Sequence, residues 1–338
     1  MLLIRLASFN VYKLTAVEHG APRWRARVDA IREIAPDVLC VQEVLTAGNR
    51  RPHESTADAA ERRDREAAEI IARLAADCGL SAAIPDGIAS TATAPGANHL
   101  WHTAILWNPA AVQPVPGTFR AFGAPEFHHG CTTLEFDIGT AQPLLVISYH
   151  GDPFRPDRRA NEGIRIKGFL RRTGGARPAV ILGDFNGLSA AQVLGPDGQT
   201  AFYDNEPYTA QDHDDLEYQC VPETIGTTNR ADRRHTEVLL RRGFAVDAAA
   251  HLGAPWKPTS GHWPDGTGDP DAWGERRIDL VLATRPVAPA LASYGVHATA
   301  ASTAASDHLP VHVDIRPADI RHTDRGAWRV PTPRATRS

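Results

Sequence analysis

The chain lacks any apolar run approaching the roughly 18 residues that a membrane-spanning helix requires, so a protein without a membrane span is expected. Cysteine is scarce: Cys40, Cys78, Cys131 and Cys220 lie far apart among 338 residues, with no CxxC pair. Neither a zinc-binding spacing nor a disulfide framework is visible, which points to reduced structural thiols, Cys40 as plain core, and a cytoplasmic setting. Bulk basicity is missing too. A net charge of −4 argues against a protein that grips polyanions through overall charge, while leaving room for a metal-bearing cleft. The opening MLLIRLASFN is too short an apolar run, and too soon broken by Arg5, for a signal peptide; it reads as a strand. No tandem repeat and no low-complexity block is present.

What remains is a chain with 42% hydrophobic and 22% charged residues, ample for one large core or two modest ones. Strand patterns fall at residues 2–9, 37–44, 103–107, 132–136, 144–149, 179–182, 278–283 and 311–315. Helical stripes fall at 22–34, 57–78, 158–172 and 236–242, the first opened by Pro22 and the second carrying Ala67, Ile70, Ile71 and Leu74. Residues 81–97, 192–234 and 255–275 read as irregular or polar connections. Early alternation of strands and helices, with hairpin-like pairs in the middle, predicts a layered α/β protein with mixed sheets.

Residues 179–190, AVILGDFNGLSA, are the centre of the pattern: a short buried strand leaving on a turn that carries Asp184 and Asn186. Taken alone this could be an ordinary Asx turn. Yet Asn10, Glu43, His150, Asp279, Asp307 and His308 also stand at or beside the ends of strands, each within a residue or two of an apolar run. Hard oxygen donors and two imidazoles converging from several strand ends suit a divalent-metal hydrolytic site.

These segments also carry a resemblance. LASFNVYKL, DVLCVQEV, SYHGDP, LGDFNGLSA, RRIDLVLAT and SDHLPVHV, in this order from Leu3 to Ile315, resemble the successive motifs of the endonuclease/exonuclease/phosphatase superfamily. The resemblance implies a four-layer α/β/β/α sandwich of two packed mixed sheets, formed by residues 1–315, with the site at one edge. It implies Mg2+, with Mn2+ as an alternative, held by Glu43 with Asn10 and Asp307 beside it. It assigns catalytic roles to the others: Asp184 activates water, Asn186 donates to phosphoryl oxygens, and His308 acts on the phosphate with Asp279 fixing its tautomer. His150 matches a histidine that deoxyribonuclease-like members place opposite.

The resulting expectation is a monomeric, metal-dependent phosphoester hydrolase, with nucleic acid the leading substrate. A phosphatase for a small phosphorylated metabolite or lipid headgroup is the alternative, and an inactive binding protein with the same fold is a third reading. Plainer explanations stand beside several residues. Asp279 could pair with Arg276 or Arg277, His128 and His129 read as loop, and the acidic run 212–217 reads as a solvated loop. The equivalence of Tyr149 to a family tyrosine is open, and His150 has no evident acidic partner near residues 98–107. Residues 316–338 hold six arginines and two aspartates and read as a basic extension; without them the remaining chain carries about −8 by the same count.

Overall fold

The computed structural model describes residues 2–48, 50–84, 100–172, 175–195, 198–263, 271 and 273–321. Two mixed sheets are stacked face to face. The first has the order Leu291–Val296, Val311–Ile315, Ile4–Leu14, Val38–Leu45, Trp101–Trp107. Only the Ile4–Leu14/Val38–Leu45 pair within it is parallel. The second runs Ala245–Asp247, Asp279–Thr284, Ala179–Asp184, Leu144–His150, Gly130–Asp137, Gln113–Pro114, with Arg120–Phe122 also paired to Gly130–Asp137. Its single parallel pair joins Leu144–His150 to Ala179–Asp184.

Helices cover both outer faces. Pro22–Ile34 and Thr56–Cys78 bury Trp24, Val28, Ile31, Ile70, Ile71 and Leu74 against the first sheet. The sequence fixes where the second of these begins and ends. Ser55 Oγ accepts from the Asp58 amide at 3.1 Å while Asp58 Oδ2 accepts from the Ser55 amide, and Gly79 in the left-handed region stops the last turn. Pro156–Leu170 and Arg234–Leu240 lie on the second sheet through Ile166, Leu170 and Leu239. The expected four-layer α/β/β/α sandwich is the architecture observed.

Strand parity explains where the polar residues gather. Along each central strand, alternate residues enter the gap between the sheets: Ile4 and Leu6; Val38 and Cys40; Leu144 and Val146; Val180 and Leu182; Val281 and Ala283. Continuing these rows toward one edge, the same parity delivers Ser8 and Asn10, Gln42, Ser148 and His150, Asp184, and Asp279. Each row therefore changes from apolar to polar as it leaves the core. At the change lies a buried hydrogen-bonded layer. Ser8 Oγ donates to Gln42 Oε1 at 3.2 Å, Gln42 Nε2 donates to Ser148 Oγ at 3.0 Å, and Ser148 Oγ donates to the Val41 carbonyl at 3.2 Å.

Several boundaries differ from the sequence reading. Asp184 is the last residue of its strand, paired with Asp279 and His150, rather than part of the turn. Gly183 is dictated by close approach, since a Cβ there would lie 1.8 Å from the Tyr149 carbonyl oxygen. The edge strand Leu291–Val296 was not legible, because Ser293 and Gly295 interrupt its pattern and most of it is half-exposed. Beyond Ile315 the chain stays attached: Ile320 is buried and the Arg321 amide donates to Pro286 O at 2.9 Å. The rest of the expected extension, residues 322–338, and most of the 81–97 excursion lie outside the described residues. Among the described residues, no helix is long and apolar enough to cross a membrane.

Candidate active site

Asn10, wholly buried, is the hub on the first sheet. Its Nδ2 donates to Glu43 Oε1 at 3.2 Å and to Asp184 Oδ2 at 3.0 Å, which ties the two sheets together at the edge. Its Oδ1 accepts from the Tyr12 amide at 3.1 Å.

Glu43 reaches this position through a distortion. Simple alternation places Gln42 inward and Glu43 toward the helices. Instead the pairing register breaks between Val41 and Val44, and Glu43 takes φ +62. A bulge re-aims a side chain in this way, and a non-glycine residue in the left-handed region marks a backbone held there by its surroundings. Glu43 Oε2 then accepts from the Lys13 amide at 3.0 Å. Burial, reinforced by Asp307, pushes its carboxyl above the usual range.

On the second sheet, Asp184 and Asp279 stand side by side with His308 against them. Asp279 Oδ2 lies 2.7 Å from His308 Nδ1, and His308 Nε2 lies 3.7 Å from Asp184 Oδ2. Arg277, expected as a rival partner for Asp279, is wholly buried elsewhere, on Asp204 and Asp247; Arg276 pairs with Asp271. Burial alone would pull the His308 imidazole down, but Asp279 and Asp184 outweigh it and hold its pKa well above the ordinary value. Burial pushes Asp184 up to about 7 despite His308. Asp184 Oδ1 accepts from the Asn186 amide at 2.8 Å, and Asn186, at φ +47, donates through Nδ2 to the Gly151 carbonyl at 3.1 Å. The turn is thus fixed from both ends.

His150 Nε2 lies 3.5 Å from Asp184 Oδ2, and its buried Nδ1 has no hydrogen-bond partner among the described residues. Burial, with His308 and His128 nearby, lowers its pKa to about 3, so it is neutral at ordinary pH. His129, read from the sequence as mere loop, is buried, and its ring stacks on that of His150 at 4.2 Å. No sequence signal distinguishes it from His128 beside it. Tyr149 faces the other way: its hydroxyl donates to Glu162 Oε2 at 2.6 Å on the helix side of the sheet, which removes it from the site. The acidic run 212–217 falls mainly in the short 3-10 helix Asp214–Tyr218 and its approach, with only Leu216 of that helix buried.

Asp307 is half-buried at the loop that carries His308. Ser306 anchors that loop, donating from Oγ to the Asn10 carbonyl at 2.7 Å and accepting from the His308 amide at 3.0 Å. The structure therefore draws Asn10, Glu43, His150, Asp184, Asn186, Asp279, Asp307 and His308 to one edge of the sandwich.

Among the described residues at this edge, two groupings could receive a cation. Asp184, Asp279 and His308 offer ligand atoms within 4.8 Å of one another. Their hydrogen bonding argues against it, because a protonated imidazole held by Asp279 has no lone pair to give. Glu43, Asp307 and Asn10 supply only oxygen, and the charge of Asp307 adds to the cost of ionising buried Glu43, a cost a divalent cation relieves. The donor set fits magnesium or manganese.

Comparison with known proteins gives three results. The sequence profile of the Endonuclease/Exonuclease/phosphatase family matches residues 7–308. No curated protein matches in sequence. Among solved structures, an endonuclease/exonuclease/phosphatase from Bacteroides vulgatus is similar at TM-score 0.56 and 15% identity, over 94% of this chain and 99% of that one. One from Beutenbergia cavernae gives TM-score 0.53 at 18% identity, over 94% of this chain and 72% of that one. Truncated TDP2 from Caenorhabditis elegans gives 0.52 at 13%, over 93% and 97%. At these identities the likeness is one of fold.

Proposed function

The chain belongs to the Endonuclease/Exonuclease/phosphatase family, and from that premise we propose that it hydrolyses phosphoesters, diesters in preference to monoesters, with the help of a divalent cation. The observation that supports this most is the placement of His308 between Asp279 and Asp184 at the junction of both sheets. A phosphoryl group entering there meets a fixed positive donor beside a carboxylate able to take a proton.

Glu43, Asn10 and Asp307 would hold the cation, which when bound polarises a phosphoryl oxygen as a Lewis acid. Asp184, with a pKa near 7, can orient a water and accept its proton at ordinary pH. His308 donates from Nε2 to a phosphoryl oxygen as charge accumulates, while Asp279 fixes Nδ1 as the other protonated nitrogen. His150 offers a neutral imidazole on the opposite side. Asn186 keeps one amide hydrogen for the phosphoryl group, since the other is committed to Gly151.

Charge favours the diester. Four carboxylates, from Glu43, Asp184, Asp279 and Asp307, surround one imidazolium, so a singly charged phosphodiester enters against less repulsion than a doubly charged monoester. The test is a substrate panel: plasmid DNA, single-stranded DNA, RNA, a bis-aryl phosphodiester and an aryl phosphomonoester, each with magnesium, manganese or chelator. The expected result is metal-dependent release of aryl alcohol from the diester. Cleavage of the monoester alone would favour the phosphatase alternative. Full activity in chelator, or none on any substrate, would overturn the proposal.

A further inference from the structure

Beside the Glu43 edge of the site is a group of residues that the chemistry above does not use. Tyr12 and Lys13 follow Asn10 on the same strand, both in the left-handed region at φ +50 and +51. Two consecutive bulky residues in that conformation are costly and persist only where something holds them. Here it is Arg27, a wholly buried guanidinium on the facing helix. Its Nε donates to the Val11 carbonyl at 2.7 Å and its Nη2 to the Tyr12 carbonyl at 2.5 Å, with Glu18 balancing the charge at 3.0 Å.

The clamp presents the Tyr12 ring edge-on to Trp263, centroids 5.2 Å apart. Trp263 is fixed in turn by its Nε1, which donates to the Thr303 carbonyl at 2.6 Å, and its neighbour His262 contacts the Ser306 carbonyl at 3.0 Å. Two exposed cations rest on these rings. Lys13 Nζ stands 4.8 Å from the Tyr12 centroid, and the Arg23 guanidinium 5.3 Å and 5.4 Å from those of Tyr12 and Trp263. Arg23 also sits in the first turn of the Pro22–Ile34 helix, where the helix dipole disfavours a cation, and its acidic partner Glu18, 3.8 Å away, is shared with Arg27. Tyr12 and Lys13 reach the site directly, because their amides donate to Asn10 and Glu43.

We propose that Tyr12, Trp263, Lys13 and Arg23 form a subsite for the nucleotide flanking the scissile phosphate of a single-stranded nucleic acid. This deepens the diesterase reading and rests on it for the position of the scissile group. Aromatic faces with stem-bearing cations are the chemistry that binds an unpaired base together with its phosphate. A paired base keeps its faces inside the stack, so a duplex gains little from the rings. The pairing of rings with positive charge also answers the chain's negative balance: it supplies locally the attraction for phosphate that net charge withholds.

The experiment measures binding and cleavage separately. Anisotropy of a fluorescein-labelled single-stranded DNA of about eight nucleotides, in calcium, reads affinity on the full chain. Tyr12→Asn removes the ring while keeping a residue that tolerates left-handed backbone; it should weaken binding about tenfold, and Tyr12→Phe should leave it unchanged. Replacing both Lys13 and Arg23 by Gln should lower the slope of log affinity against log salt by about 1.4, the share of two phosphate contacts on a single strand. Melting by circular dichroism verifies folding, and bis-aryl diester turnover in magnesium is measured beside it: a loss there as large as the loss of affinity would mean the variants act through Asn10 and Glu43 and would overturn the subsite. Parent-like affinity in Tyr12→Asn, an unaltered salt slope in the double variant, or tighter binding of a duplex of the same length would each overturn the subsite. Failure of the parent to cleave the bis-aryl diester would instead strike the diesterase reading, while the anisotropy result still decides the subsite.

Discussion

Replacing Asp279 by Asn removes one negative charge and changes little else. The side chain keeps its size, and an amide oxygen can still accept from His308 Nδ1 across the 2.7 Å contact. No cation is left stranded, since Arg276 and Arg277 are committed to Asp271, Asp204 and Asp247. What disappears is the attraction that keeps His308 charged. For unit charges about 4 Å apart at an effective dielectric near 20, that attraction is about 4 kcal/mol, or about three pKa units. His308 is buried, so burial then draws its pKa down against the weaker opposition of Asp184, Asp307 and Glu43. Turnover at neutral pH should fall by up to the roughly 10²–10⁴-fold that a positioned general acid contributes, and the alkaline limb of the kcat profile should move to lower pH. Folding should change little, because Asp279 also raises the charging cost of Asp184 and its removal relieves that repulsion; a melting shift within about 3 °C is expected. Steady-state kinetics on the bis-aryl diester across pH, with melting in parallel, provide the measurement. A variant with the parent's rate and profile would refute the account of His308, and a large fall in melting temperature without loss of rate would make Asp279 structural.

Three further outcomes are expected. Glu43→Gln should abolish most metal-dependent turnover and raise the magnesium concentration for half activity by at least tenfold, while melting in chelator stays at or above the parent's because a strained carboxyl is gone. His235 is buried behind Gly187, and burial, then Arg159, lowers its pKa to about 3. The unfolded chain therefore takes up a proton below about 6.5 that the folded one refuses, so its contribution to stability is lost as pH falls from about 6.5 to 3. In His235→Gln, denaturant titrations should show the acid-side slope reduced by up to about 1.4 kcal/mol per pH unit; an unaltered slope would mean His235 is already charged. Deleting residues 322–338, which leaves Ile320 and Arg321 in place, should raise KM on single-stranded DNA and flatten its salt dependence, with aryl diester turnover untouched.

Much of the site was legible because strand parity is written into the sequence. LASFN, VLCVQ, LVISYH and AVILGD each place a polar residue in register with the apolar ones before it, so the edge where they meet follows from alternation alone. Glu43 shows the limit. QE names the right residue, but alternation sends it to the wrong face, and only the bulge at φ +62 corrects it. Arg277, which the sequence left open as a rival partner for Asp279, shows another limit: its partners are 73 and 30 residues away, a separation on which local pattern is silent. His129 had no marker at all, since its role depends on a ring that another strand brings to it. The Leu291–Val296 strand was missed because a half-exposed edge imposes little alternation on its residues.

The Ser8–Gln42–Ser148 layer has a consequence for how this molecule can vary. It is a floor of hydrogen bonds with aliphatic packing beneath and charge above. Methyl groups may be exchanged below it without disturbing the carboxylates, and charges may be exchanged above it without opening the packing. The two populations of residues share a backbone but little free energy, so substitutions drawn from each should combine additively. Gln42 is the exception, because it bonds both serines. Losing its amide leaves the Ser8 hydroxyl without its acceptor and the Ser148 hydroxyl with only its bond to the Val41 carbonyl, making this quiet, uncharged side chain the place where durability and reactivity cease to be separable.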